Sequence, residues 1–199
     1  MRRDKEVASE WAKQALNDPK TVVLDLETTG ILSKDPDTEI SQITILDLKR
    51  RPLLSMLLKP NKPMSDEIVG IHGITNDQVR DQPIFPQVAK IISFVLEGKN
   101  VLAYNADFDI KLLWHMFRKY EVEVPKTVAT ACVMDEFSQW VGDWSDKKQG
   151  YKWQKLPNLS GLPPHDSYSD CVSTILLLER MAGGKSIEEV DAEEISLAF

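Results

Sequence analysis

Thr21-Val22-Val23-Leu24-Asp25-Leu26-Glu27-Thr28-Thr29-Gly30 carries a run of apolar and β-branched residues into two carboxylates spaced i, i+2, and closes on a Thr-Thr-Gly turn. It reads as a short buried strand that ends at a turn. Side chains alternate across a strand, so Asp25 and Glu27 project from one face while Leu24 and Leu26 project from the other. Unpaired buried carboxylates are costly. Two acids on one face therefore either cap the strand end in solvent or are matched by cations, donors or a metal.

Before this strand, Asp4 to Leu16 places Val7, Trp11 and Leu16 on an apolar helical stripe, and Asn17-Asp18-Pro19 stops it. After it, Lys34 to Glu39 is a polar loop without the third acid, central glycine and closing glutamate of a calcium loop, and a solvated turn is expected. Glu39–Leu48 and Leu53–Lys59 then form a strand hairpin beside the first strand, an antiparallel start. Short helical pieces fill Met64–Arg80 around Ile71-His72-Gly73-Ile74-Thr75, and Pro83–Leu96 has helical period ending at Gly98.

A second buried strand, Asn100–Tyr104, runs into Asn105-Ala106-Asp107-Phe108-Asp109 and an apolar helix. Thr127–Thr130 is expected as a third core strand, followed by a helix from about Ala131 to Trp140. Val141–Asn158 is polar, with Trp144, Tyr151 and Trp153 set among lysines, and reads as a long surface loop or small hairpin. These aromatics either stack on bases or pack the loop down, and packing is expected for at least two of the three. Finally Pro163 to Asp170 opens a helix to about Met181, with Val172, Ile175, Leu176 and Leu178 on its apolar face.

At 199 residues and 42% hydrophobic content the chain suits one soluble domain. We assign residues 1–182 to that domain, with helix 4–17 packed on it, and 183–199 to an acidic tail. No run of about 18 apolar residues occurs and no apolar segment follows the charged start, so neither secretion nor membrane insertion is expected. Cys132 and Cys171 are too far apart in sequence for a Cys-x-x-Cys site, which points to a reducing cytoplasm. The net charge of −7 argues against a general polyanion binder but not against a nucleotide site bridged by divalent cations.

The order of elements predicts an α/β domain with a mixed β-sheet flanked by helices, and the acids gather at the strands' carboxyl edge, where ligands of such sheets bind. Three segments in order resemble the DEDDh 3′→5′ exonucleases, which include proofreading subunits and ribonuclease T on a ribonuclease-H-like fold. Asp25-x-Glu27-Thr28-Thr29-Gly30 resembles the first motif, Asn105 to Asp109 the second and His165-x4-Asp170 the third. The likeness runs from about Thr21 to Met181 and includes Ile71 to Thr75. Tyr104 stands where a histidine is common, and Ser167 and Cys171 replace the usual alanines.

The resemblance implies a site for two divalent cations, Mg²⁺ or Mn²⁺, held by Asp25, Glu27, Asp109 and Asp170. Hard ions of this kind take carboxylate oxygens. Asp25 would bridge both ions, Glu27 and Asp170 would complete the site of the nucleophilic water, and Asp109 would serve the second ion. Asp107 is left as a bystander. His165 would be the general base, a role suited to an imidazole's ordinary pKa near 6.5. Thr28, Thr29, Gly30, His72, Asn105 and Phe108 would bind substrate.

From the residues alone, Asp109 and Asp170 read equally as helix N-terminal acids favoured by the dipole. His165 then reads as a loop residue, His72 and His115 as structural or solvent-facing, and Cys132 as packing. The implied activity is removal of 5′-mononucleotides from a 3′ end of single-stranded DNA or RNA, with a polymerase or repair protein as a possible partner. Alternatives are an exoribonuclease for RNA tails or short oligoribonucleotides, and a catalytically inactive nucleic-acid-binding or polymerase-associated module. A plain α/β interaction domain would make the three ordered motifs a coincidence.

Overall fold

The computed structural model describes residues 2–183. Helix α1 (Arg2–Asn17) leads through a turn, closed by Thr21 N–H to the Asp18 carbonyl, into strand β1 (Thr21–Thr28). Strands β2 (Ile40–Asp47) and β3 (Pro52–Leu57) extend the sheet on one side by antiparallel pairing. Short helices α2 (Asp66–His72) and α3 (Asn76–Val79) and the longer α4 (Phe85–Leu96) return the chain to β4 (Asn100–Ala103), parallel to β1. Helix α5 (Ala106–Lys119), strand β5 (Ala129–Cys132) and helix α6 (Val133–Val141) follow. A two-stranded hairpin, β6 (Trp144–Ser145) and β7 (Gly150–Tyr151), precedes α7 (Ser167–Gly183). The main sheet has the order β3-β2-β1-β4-β5, with the β1–β4 and β4–β5 pairs parallel.

The alternation read from β1 sorts its side chains into two cores. Leu24 and Leu26, with Ile43 and Ile45, meet Ile92 of α4 and Leu113 and Phe117 of α5. On the opposite face Val23, Leu46 and Leu102 meet α1, α6 and α7 through residues such as Ala12, Phe137 and Ile175. Each such side chain, fully removed from water, contributes roughly 1.5–3 kcal/mol.

The lengths of β1 and β4 set up the site. Only Thr21–Val23 pair with β4, which stops at Ala103, so β1 runs on past its parallel neighbour. The rest of β1 is held by β2 on one side alone, with a register shift between Glu27 and Thr28 that bends the strand end. Its β4 side is left for the amino end of α5.

Several expectations shift. The third strand is not 127–130 but Ala129–Cys132, and it lies at the edge of the sheet, partly exposed, because it pairs with β4 alone. Helix α6 accordingly starts at Val133. Of the stripe expected on α1, Trp11 and Leu16 pack against the core, partly buried, while Val7 is exposed; the fully buried positions are Ala8 and Ala12, whose small side chains let α1 lie close against α7. The 34–39 loop is not wholly solvated. Glu39 is buried and accepts hydrogen bonds from Asn61 N–H (2.6 Å), Lys119 Nζ (2.8 Å) and the Tyr120 hydroxyl (2.7 Å). Helix α7 begins at Ser167 and runs through Gly183, so Pro163 to His165 are loop. From Gly184 on, the acidic tail lies outside the described residues.

Candidate active site

Asp25 and Glu27 point from the same face of β1, and Asp170, in the first turn of α7, meets them there. One carboxylate oxygen from each lies within 4.8 Å of the others. Asp109 comes from the opposite layer. Its Oδ1 accepts the Leu26 N–H at 3.2 Å, a strand donor with no β4 partner because β4 has already ended. One oxygen of Asp109 is thereby committed to the backbone, and its charge still acts on Asp25 and Glu27. Asp107, two residues earlier, is exposed and pairs with Lys111 at 3.0 Å, away from the cluster.

Electrostatics mark the cluster as short of positive charge. Burial, then the charges of Asp109, Glu27, Asp170 and Asp166, push Asp25 well above the ordinary carboxylate range. Glu27, only 8% exposed, is pushed to about 8 by burial and by Asp170, Asp109 and Asp166. Asp109, 4% exposed, rises to about 7, chiefly by burial and against the hydrogen bond from Leu26. Burial also raises Asp170, whose shift is opposed by the charge and the backbone N–H of His165. Among the described residues, no lysine or arginine is one of the groups that shift these four. An all-oxygen donor set whose members hold one another's pKa up fits a hard divalent cation.

His165 sits in the loop before α7 with a left-handed backbone (φ 58°), exposed, and its charge acts on both Asp170 and His72. His72, at the end of α2, is half-buried. Its Nδ1 accepts the Ile74 N–H at 3.0 Å, which puts the proton of the neutral ring on Nε2, and the Thr28 carbonyl acts on the ring. It thus belongs to the site's surroundings. His115 does not: its Nε2 meets the Pro36 carbonyl at 3.1 Å on the surface.

The turn after β1 is tied internally. Thr28 Oγ1 donates to the Gly30 carbonyl (2.8 Å), and Thr29 exchanges hydrogen bonds with the Glu39 backbone through its Oγ1 and its N–H. Asn105 precedes α5, where its carbonyl accepts Phe108 N–H and Asp109 N–H, and Phe108 is half-buried beside Asp109.

Two residues escaped the sequence reading. Gln42, paired across the ladder with Glu27, takes the Ser167 N–H on Oε1 (3.1 Å) and donates from Nε2 to Asp166 (3.0 Å). Asp166 in turn accepts Ser169 N–H (3.1 Å) and caps α7. A second clamp joins Thr44 Oγ1 to Ser167 Oγ at 2.7 Å. Together they lock the start of α7, and so Asp170, onto the strand pair that carries Asp25 and Glu27. A glutamine alternating with Thr44 on a strand carries no signal in one sequence; only the partner's position reveals it.

A mixed five-stranded sheet covered by helices on both faces, with acids gathered where its first strand ends, has the ribonuclease-H-like fold. The RNase_T family model, described as "Exonuclease", matches residues 22–178. The chain belongs to this exonuclease family. It is 28% identical over 188 residues to the uncharacterized exonuclease CP81 of Escherichia phage 186, covering 88% of this chain and 94% of that protein. It is 30% identical over 128 residues to the DNA polymerase III subunit epsilon of Pasteurella multocida, covering 60% of this chain and half (50%) of the subunit. Among solved structures, exonuclease X in complex with 5′ overhanging duplex DNA superposes with a TM-score of 0.52 at 22% identity, covering 85% and 96% of the two chains.

Proposed function

We propose that this chain hydrolyses the terminal phosphodiester at the 3′ end of single-stranded DNA or RNA and releases 5′-mononucleotides. The observation that carries the reading is the convergence of Asp25, Glu27 and Asp170 within 4.8 Å, with Asp109 hydrogen-bonded beside them at Leu26. Asp25, Glu27, Asp109 and Asp170 would hold two divalent cations, Mg²⁺ or Mn²⁺. When bound, such ions supply Lewis acidity toward the phosphate and stabilise the leaving oxygen.

The chain's own residues do the rest. His165, exposed and near enough for its charge to act on Asp170, takes the proton of the attacking water. The Thr28-Thr29-Gly30 turn, His72, Asn105 and Phe108 surround the position of the terminal nucleotide and orient it. All five residues of the motif set are present, which favours an active enzyme over a binding-only module. Likeness to a polymerase subunit, half of whose length is matched, supports association with a polymerase. Digestion of labelled single-stranded DNA and RNA side by side, with Mg²⁺, Mn²⁺ or a chelator, tests the reading and assigns the sugar. Cation-dependent loss of mononucleotides from at least one polymer is expected; cleavage of neither would overturn it.

A further inference from the structure

The β6–β7 hairpin and the segment after it present four exposed lysines, Lys147, Lys148, Lys152 and Lys155, against two aspartates, in a chain of net charge −7. Trp144 and Tyr151 face each other across the hairpin in a T-shaped contact (5.2 Å), and the Tyr151 hydroxyl donates to Asp4 of α1 (2.6 Å). These two aromatics hold the hairpin down. Trp153 does not: it is 73% exposed, with the Lys148 ammonium 5.6 Å from its ring centre. An indole left in water costs apolar burial that the fold had available, and a lysine beside an open aromatic face is the pairing that binds nucleic-acid strands, base on ring and phosphate on ammonium.

Two attachments tie the segment after this hairpin to the elements that carry Asp109 and Asp170. Tyr104, next to Asn105, donates from its hydroxyl to the Gln154 carbonyl at 2.8 Å, fixing the residue after Trp153. Ser160 Oγ lies 2.8 Å from Ser169 Oγ, beside Asp170, and Ser173 Oγ accepts Leu159 N–H and Ser160 N–H.

We infer that Trp153 and Lys148 form a strand-binding platform for single-stranded nucleic acid, engaging a nucleotide upstream of the 3′ terminus held at the acidic cluster. The inference rests on the exonuclease reading and adds a subsite to it. A substrate long enough to reach the hairpin feels the platform; a mononucleotide ester does not.

The test compares the full chain with its Trp153→Ala, Trp153→Phe and Lys148→Ala variants on a single-stranded 12-mer and on the p-nitrophenyl ester of thymidine 5′-monophosphate. Affinity for the 12-mer is also read by fluorescence anisotropy in chelator, without turnover. For Trp153→Ala, KM and Kd for the 12-mer should rise about 5- to 100-fold, with kcat and all kinetics on the ester unchanged. Trp153→Phe should recover most of the affinity. Lys148→Ala should weaken binding of the 12-mer and lower the salt dependence of log Kd by about 0.7. Unchanged 12-mer binding in both alanine variants would overturn the inference, as would an equal loss on 12-mer and ester, which marks a packing role. A wild type that hydrolyses neither substrate yet binds the 12-mer through Trp153 would overturn the exonuclease reading and support the platform.

Discussion

Asp109 and Asp107 are two residues apart in sequence and lie in different environments: one is buried on a strand N–H, the other exposed on Lys111. Asp109→Asn keeps an acceptor for Leu26 and removes the charge, so it should fold normally and lose turnover by at least about 100-fold, the scale of a single electrostatic group in a catalytic site. Asp107→Ala should keep turnover near wild type. Steady-state rates on a single-stranded oligonucleotide decide, and the reverse pattern would place the second motif's acid at Asp107. His165 carries the other single-residue expectation. A positioned general base contributes about 10²–10⁴-fold, so His165→Ala should lower kcat by that order while cation affinity, read by calorimetry, stays intact. Near-normal turnover in His165→Ala would move the role to Tyr168, three residues on.

At the scale of elements, β1 was legible because its period-2 pattern and its two acids agree, and the carboxyl-edge placement of Asp109 followed from a strand-to-helix junction. What the sequence hid was relational. That β4 ends short of β1, freeing the Leu26 N–H for Asp109, depends on how far two distant segments pair. The edge position of β5 was missed because a short apolar or β-branched run looks alike at the centre and the rim of a sheet. Burial of Glu39 was missed because its partners, Asn61, Lys119 and Tyr120, lie at least 22 residues away. Gln42 belongs to the same class. Its amide joins β2 to Ser167 and Asp166, so Gln42→Ala should cost about 1–3 kcal/mol of stability from two lost hydrogen bonds and a larger share of turnover. Denaturant unfolding beside kcat measures both. Gln42→Glu keeps an acceptor for Ser167 while setting a charge against Asp166, and should be worse for activity than its stability alone suggests.

For the whole molecule the acidic cluster ties stability to pH and to cations. Folded Asp25, Glu27, Asp109 and Asp170 all hold protons more tightly than their ordinary values, with Asp109 near about 7 and Glu27 near about 8. The folded state therefore binds more protons than the unfolded chain from the ordinary carboxylate range near 4 up to about 8, and cation-free stability should fall as pH rises through that window. Cations that replace those protons should reverse the trend. In thermal melts, Tm in chelator should drop from about pH 5 to about pH 8, and Mn²⁺ should raise Tm more at the higher pH. A flat profile in chelator would contradict the mutual repulsion of the four acids. Among the described residues no helix is long and apolar enough to cross a membrane.

The central claim, that the converging acids serve a cation-dependent hydrolysis proceeding from the 3′ end, meets its most direct test in one time course. A single-stranded oligonucleotide labelled at its 5′ end is incubated with the protein in Mg²⁺ or Mn²⁺ and in excess chelator, and the products are resolved by length. The account predicts a ladder descending one nucleotide at a time in the presence of cation, with the label leaving last, and intact substrate in chelator. Release of the label as a mononucleotide in the first turnovers, or a ladder that persists in chelator, would contradict it.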